Sequence, residues 1–157
     1  MTDSRIKKVK FDGDALEVHL EGTDDDTERK TTVRSLGSIH PDLRIALQAL
    51  EPHVRDILVL PDYWCSSSLR VTGVSFSHSE KTEVEGAVIT CQADLTTCQS
   101  PFCFNTPHLP FEQYADEGDQ PTMPVDAIEA LETLKVEVRA YLDGKRAQGE
   151  LAFGEAA

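Results

Sequence analysis

The chain has 157 residues, 28 of them acidic and 15 basic, for a formal net charge of −13. That length suits one domain able to bury most of its apolar surface without disulfides or metals, and the charge repels phosphate backbones, which argues against a non-specific nucleic-acid binder. Met1–Lys10 lacks the apolar core of a secretory signal, and no apolar run approaches the ~20 residues of a membrane helix. The expectation is therefore a cytoplasmic protein whose four cysteines stay reduced.

Ile6–Phe11 and Ala15–Leu20 read as strands joined by Asp12-Gly13-Asp14, strong turn chemistry. Leu16, Val18 and Leu20 alternate with Glu17 and His19, so one face is apolar and His19 is expected on the exposed one. Lys7, Lys8 and Lys10 are the chain's only cluster of cations among the strands, and Lys8 and Lys10 share a face, a small basic patch at most. Glu21–Glu28, EGTDDDTE, reads as a turn; its consecutive aspartates lack the glycine and distal glutamate of a calcium loop, which favours a solvated tip. A third strand is expected over Arg29–Leu36.

Pro41–Leu60 is helical by spacing: Leu43, Ala46, Leu47, Leu50, Val54, Ile57 and Leu58 recur on one face. Pro41 and Asp42 suit a first turn, and Pro52 inside the pattern predicts a kink or two short helices. His40 and His53 flank it as lone histidines, expected to be structural or exposed, with no catalytic constellation nearby. Pro61–Ser68 is a loop in which Tyr63 and Trp64 are expected to anchor on the core.

The longest regular stretch is a hairpin over Leu69–Leu95. Ala87, Ile89, Cys91, Ala93 and Leu95 share one parity, and Val88, Thr90, Gln92 and Asp94 the other. On the first strand the apolar parity switches between Val71 and Val74, which predicts a bulge at Gly73. Ser79–Glu83 is the polar connection. Phe102 and Phe104 flank Cys103 in a short strand ended by Asn105-Thr106-Pro107. Phe111–Pro124 is an acidic connector. Val125–Leu142 is a long helix with Pro124 at its first position, a stripe of Ile128, Leu131, Leu134, Val138, Tyr141 and Leu142, and a stop at Gly144. Strands, helix, hairpin, short strand, helix: the order predicts an α+β domain over residues 1–143, an antiparallel sheet of about five to six strands with two helices on one face, and a flexible tail at 144–157.

Chemistry is sparse. Cys91, Cys98 and Cys103 lie near one another in sequence and Cys65 far off; only Cys98 and Cys103, with four residues between them, reach structural-zinc spacing, no second such pair completes a site, and Cys91 falls on the core parity, so neither metal nor cofactor is expected. Cys103 with His108, or Cys65 with His78, lacks a third group to order nucleophile and base. No nucleophile elbow, phosphate-cradling glycine loop or metalloprotease motif occurs. The expectation is a protein without catalysis.

The tail carries a pattern of its own. Gln148-Gly149-Glu150-Leu151-Ala152-Phe153 resembles the short peptide with which bacterial DNA polymerases and their accessory factors dock on the sliding clamp. The resemblance implies Gln148 as hydrogen-bonding head and Leu151 and Phe153 as apolar anchors of an extended segment; the alternatives are that Leu151 and Phe153 fold back on the protein's own core or are simply a sticky tail. FNTP at Phe104–Pro107 and YLDGKRAQ at Tyr141–Gln148 resemble segments of small phage-encoded proteins from replication and recombination gene clusters. That likeness implies an accessory role in a bacterial host's cytoplasm, by protein contact, and carries over no catalytic residue; the charge and the lack of a long apolar run add the expectation of no direct nucleic acid and no membrane. The second reading of the charge is an acidic, DNA-like inhibitor of a host DNA-binding defence protein.

Overall fold

Alternation along the strands sorts this protein into a buried layer and an open face. The structure, a computed structural model, describes residues 5–12, 15–24, 27–35, 39–60, 69–78, 84–95, 97–112 and 121–144. In chain order the elements are β1 (Arg5–Asp12), β2 (Ala15–Asp24), β3 (Thr27–Ser35), α1 (Pro41–Gln48), α2 (Glu51–Leu58), β4 (Leu69–His78), β5 (Glu85–Ala93), β6 (Phe102–Asn105), β7 (Leu109–Pro110) and α3 (Val125–Leu142). The strands form one antiparallel sheet of order β3-β2-β1-β4-β5-β6, and β7 pairs with β5 further along the edge that β6 uses. The α+β class is as the sequence indicates. The expected five to six strands become seven because the two-residue β7 adds to the sheet, and the first helical segment divides before Pro52 into two short helices, one of the two outcomes its pattern predicts.

The division has a local cause. Proline has no N–H to give the carbonyl four residues earlier, and its ring collides with that carbonyl. For Pro52 that residue is Gln48, where α1 ends; α2 begins at Glu51. The His40 Nδ1 caps α1, accepting the Asp42 N–H at 3.1 Å, so this histidine is structural. At α3 the expectation needs one correction: Pro124 has ψ 144°, extended backbone, and is the N-cap rather than the first helical residue. Gly144, at φ +114°, follows the end of α3 in a conformation that glycine adopts readily.

The end of α2 is unusual. The Val59 N–H reaches the Asp56 carbonyl at 3.3 Å and the Leu60 N–H reaches that of Arg55 at 3.0 Å, the paired bonds of a Schellman stop. That geometry puts Val59 at φ 53°, in the left-handed region, where a β-branched side chain is strained. Val59 is 85% exposed, so its side chain contributes little packing. Val59→Gly is therefore expected to raise stability by about 1 kcal/mol, read as a higher urea midpoint with an unchanged slope.

The β4–β5 hairpin follows its sequence pattern closely. The register shifts between Val71 and Gly73, making Thr72 the extra residue of a bulge. As a result Leu69 and Val71 before it, and Val74 and Phe76 after it, are all buried. On β5 Ala87, Ile89, Cys91 and Ala93 are buried, while Val88, Thr90 and Gln92 are half-buried on the other face. Leu95 departs from the pattern, because β5 ends at Ala93 and the chain turns away, leaving Leu95 exposed. The Glu21–Glu28 expectation is also revised. Pairing of β2 with β3 continues to Asp24 opposite Thr27, so most of that stretch is strand.

All three helices contribute to one apolar core against one sheet face. Leu43, Leu47 and Leu50 from the first helical pair meet Leu131, Leu134 and Val138 from α3, above Val9, Val18, Val74 and Ile89 of the sheet. Lys135 bridges the layers from α3: its Nζ lies 2.8 Å from Glu85 Oε2 and 4.6 Å from the centre of the Phe76 ring. The connector before α3 is tied at its described ends, with Phe111 N–H on the Glu85 carbonyl at 2.7 Å and Met123 N–H on that of Pro110 at 2.8 Å. The turn at Gly13-Asp14, the Asp25-Asp26 tip, the Tyr63–Trp64 loop and the Ser79–Glu83 connection lie outside the described residues.

Candidate functional site

On the helix-free face the same alternation presents polar side chains. β1 places Lys8 and Lys10 there. β4 contributes Gly73, Ser75 and Ser77, and β5 contributes Gly86, Val88 and Thr90, each paired across the strands as Gly73–Thr90, Ser75–Val88 and Ser77–Gly86. Long lysines beside short side chains and a glycine leave a depression. It measures about 370 Å³ and is walled by Lys8 and Lys10 on one side and Thr90 and Asn105 on the other, with Gly73 and Ser75 between. The Thr72 hydroxyl donates to the Thr90 carbonyl at 3.4 Å, holding the bulge against β5.

The ion pairs around it leave the two lysines aside. Glu17 stands opposite Lys10 across β1 and β2, yet its Oε1 lies 3.2 Å from His19 Nε2. His19, half-exposed as a strand residue of this face, is also 3.5 Å from the Thr32 hydroxyl. Lys7 lies 3.7 Å from Glu21. Among the described residues neither Lys8 nor Lys10 has a carboxylate within ion-pair distance.

Further along the face, His108 Nε2 and Ser77 Oγ are 2.6 Å apart. The imidazole reaches this position because it rests on Gly86, where any Cβ would collide with the ring. Besides the two Cys–His pairings weighed from the sequence, the structure shows a Ser–His contact. Cys103 is exposed on β6, Cys65 lies outside the described residues, and His78 Nδ1 is buried without a hydrogen-bond partner among the described residues. A serine hydroxyl bonded to imidazole is the relation a nucleophile has with its base, but catalysis also needs a group that orients the ring.

A second concavity lies on the helix side. β1 and β4 pair only over Lys8–Lys10 with Gly73–Ser75. Beyond that junction they part, and Phe11, Val71 and Arg70 line a cleft of about 420 Å³ beneath Arg44, Leu47 and Glu51. Arg44 lies 5.4 Å from the centre of the Phe11 ring. Arg70 is engaged by Asp94 at 2.6 and 3.3 Å and by Gln92 at 3.3 Å. Burial raises the Glu51 carboxyl above its ordinary range, with Arg55 and Arg70 pulling the other way. Burial, and then the Glu51 charge, push the Cys91 thiol up to about 12.

The raised thiol has a measurable consequence. At pH 8, Cys98 and Cys103 should react with iodoacetamide in the native protein, while Cys91 should react only in denaturant. The unfolded thiol, near 9.0, ionises before the folded one. Its contribution to stability is therefore complete below pH 9 and is lost as pH rises from there toward 12. Mass spectrometry of quenched labelling reactions reads the first effect, and urea melts across that pH window read the second. No group of three or more metal-ligating side chains is gathered among the described residues.

Sequence reasoning placed Lys8 and Lys10 on one face and found the polar parity of β5. It did not find Ser75, Ser77, Asn105 and Gly86 as their companions, because cross-strand register decides that. Gln148, Leu151 and Phe153 lie outside the described residues. No helix among the described residues is long and apolar enough to cross a membrane. Compared with known protein families, curated sequences and solved structures, the chain finds no match.

Proposed function

We propose that the protein is a phage-derived accessory factor of DNA replication or recombination that acts by protein contact, without a reaction of its own, in the cytoplasm of a bacterial host. Its tail docks on the sliding clamp through Gln148, Leu151 and Phe153. The observation that supports this reading is the helix stop. α3 closes at Leu142, Gly144 takes a positive φ, and the hexapeptide follows within a few residues. A recognition peptide needs that separation from a folded domain, since it must be able to enter its partner's pocket extended.

Ordering such a segment costs conformational entropy, so the expected affinity is modest, about micromolar. Calorimetric titration against purified clamp should show that affinity for the intact protein. Leu151→Ala with Phe153→Ala should abolish it and leave the melting temperature unchanged. A fold-back of the tail on the core predicts the opposite pair of results: lost stability and no clamp binding to lose. No clamp affinity at high micromolar concentration would defeat the docking reading. The acidic inhibitor of a host DNA-binding protein would then take its place, to be tested by capture of a nuclease or restriction complex.

A further inference from the structure

We propose that the depression on the open sheet face is a binding site for a small phosphomonoester, independently of any clamp contact. The chemistry of its wall points one way. Lys8 and Lys10 project from alternate positions of one strand and lack ion-pair partners among the described residues. Ser75 and Thr90 offer hydroxyls and Asn105 an amide, the neutral donors that complete an anion's hydrogen bonds. Among the described residues no carboxylate lines the depression, although the chain has 28 acidic residues. Glu17, opposite Lys10 across the strands, lies against His19.

Size and composition narrow the ligand. A volume of about 370 Å³ lies at the small end of small-molecule sites. Among the described residues no aromatic ring lines it, so they offer no platform on which a nucleobase would stack. A net charge of −13 opposes a long polyanion, which feels the whole surface, far more than a compact dianion that meets two lysines at close range. Gly73 adds no side chain to the lining, and the hydroxyl and amide groups around it suit a hydroxylated body behind the phosphate. The class is therefore a phosphomonoester on a small polar scaffold, such as a sugar phosphate.

The test is a titration followed by backbone amide resonances at fixed ionic strength, using inorganic phosphate, ribose 5-phosphate and uncharged ribose in separate arms. Inorganic phosphate should give saturable shifts at Gly73, Ser75, Thr90 and Asn105 with a dissociation constant of about 1 mM, and ribose 5-phosphate should bind more tightly. Ribose alone should give none. Lys8→Ser with Lys10→Ser should weaken both phosphate ligands at least tenfold while the melting temperature holds, since both side chains are exposed. Asn105→Asp, which changes one exposed amide to a carboxylate, should also weaken them, and it keeps the test decisive if the double variant folds poorly. Shifts that never saturate, that centre on other residues, or that persist at equal affinity in these variants would overturn the proposal.

Discussion

Ile89→Asp should abolish the cooperative folding transition. Ile89 is 0% exposed on β5, opposite Val74, in the middle of the layer that the helices cover. Its backbone is also tied to Thr106, whose hydroxyl accepts the Ile89 N–H and whose own N–H donates to the Ile89 carbonyl, both at 2.9 Å. A carboxylate there has no partner and nowhere to reach water. The cost should exceed ~4 kcal/mol, comparable with the whole stability of a small domain. Val88→Asp, one residue earlier, should cost about 1 kcal/mol or less, because that side chain is half-exposed on the open face beside Lys8 and Lys10. Urea melts of the two variants should differ sharply. Equal midpoints would mean that the strand faces the other way.

Gly73→Ala should be the most damaging change of a single methyl group. A Cβ at Gly73 would stand 2.7 Å from the carbonyl oxygen of Val9, a backbone atom that cannot swing aside. Among the described residues the site is also the only seam between the two halves of the sheet: their pairing between the β1–β2–β3 group and the β4–β5 group runs through Lys8–Lys10 and Gly73–Ser75. Forcing those strands apart should cost about 3 kcal/mol and reduce amide-exchange protection in β1 and β4 together. Gly86→Ala is the control. Its Cβ would meet the exposed imidazole of His108, which can rotate away. The expected cost is under about 1 kcal/mol, with loss of the Ser77 hydrogen bond. A loss of stability at Gly73→Ala no greater than at Gly86→Ala would show that the seam tolerates separation.

Where the fold was legible, the cause acted within a few residues. The parity of β5, the bulge beside Gly73, the break before Pro52 and the span of α3 each follow from side-chain alternation, a parity switch, a missing N–H or a helical stripe. The boundaries that moved did so where pairing overrode local composition. Glu21–Asp24 has turn-like chemistry, yet it is strand because β3 continues to bond it. Leu109–Pro110 carries no strand pattern and becomes β7 only because β5 has a free edge at Gly86–Ala87.

The sequence by itself determined an α+β domain, the buried faces of its hairpin and long helix, and the acidic charge of the chain. These are properties of neighbouring residues and of periods that repeat every two or 3.6 positions. The tertiary structure alone decided which polar residues share a site. Lys8, Ser75, Thr90 and Asn105 are separated by long stretches of chain, and Ser77 and His108 by 31 residues. They meet because β1, β4, β5 and β6 lie side by side in one particular register. A shift of that register by one residue would turn every one of these side chains to the opposite face.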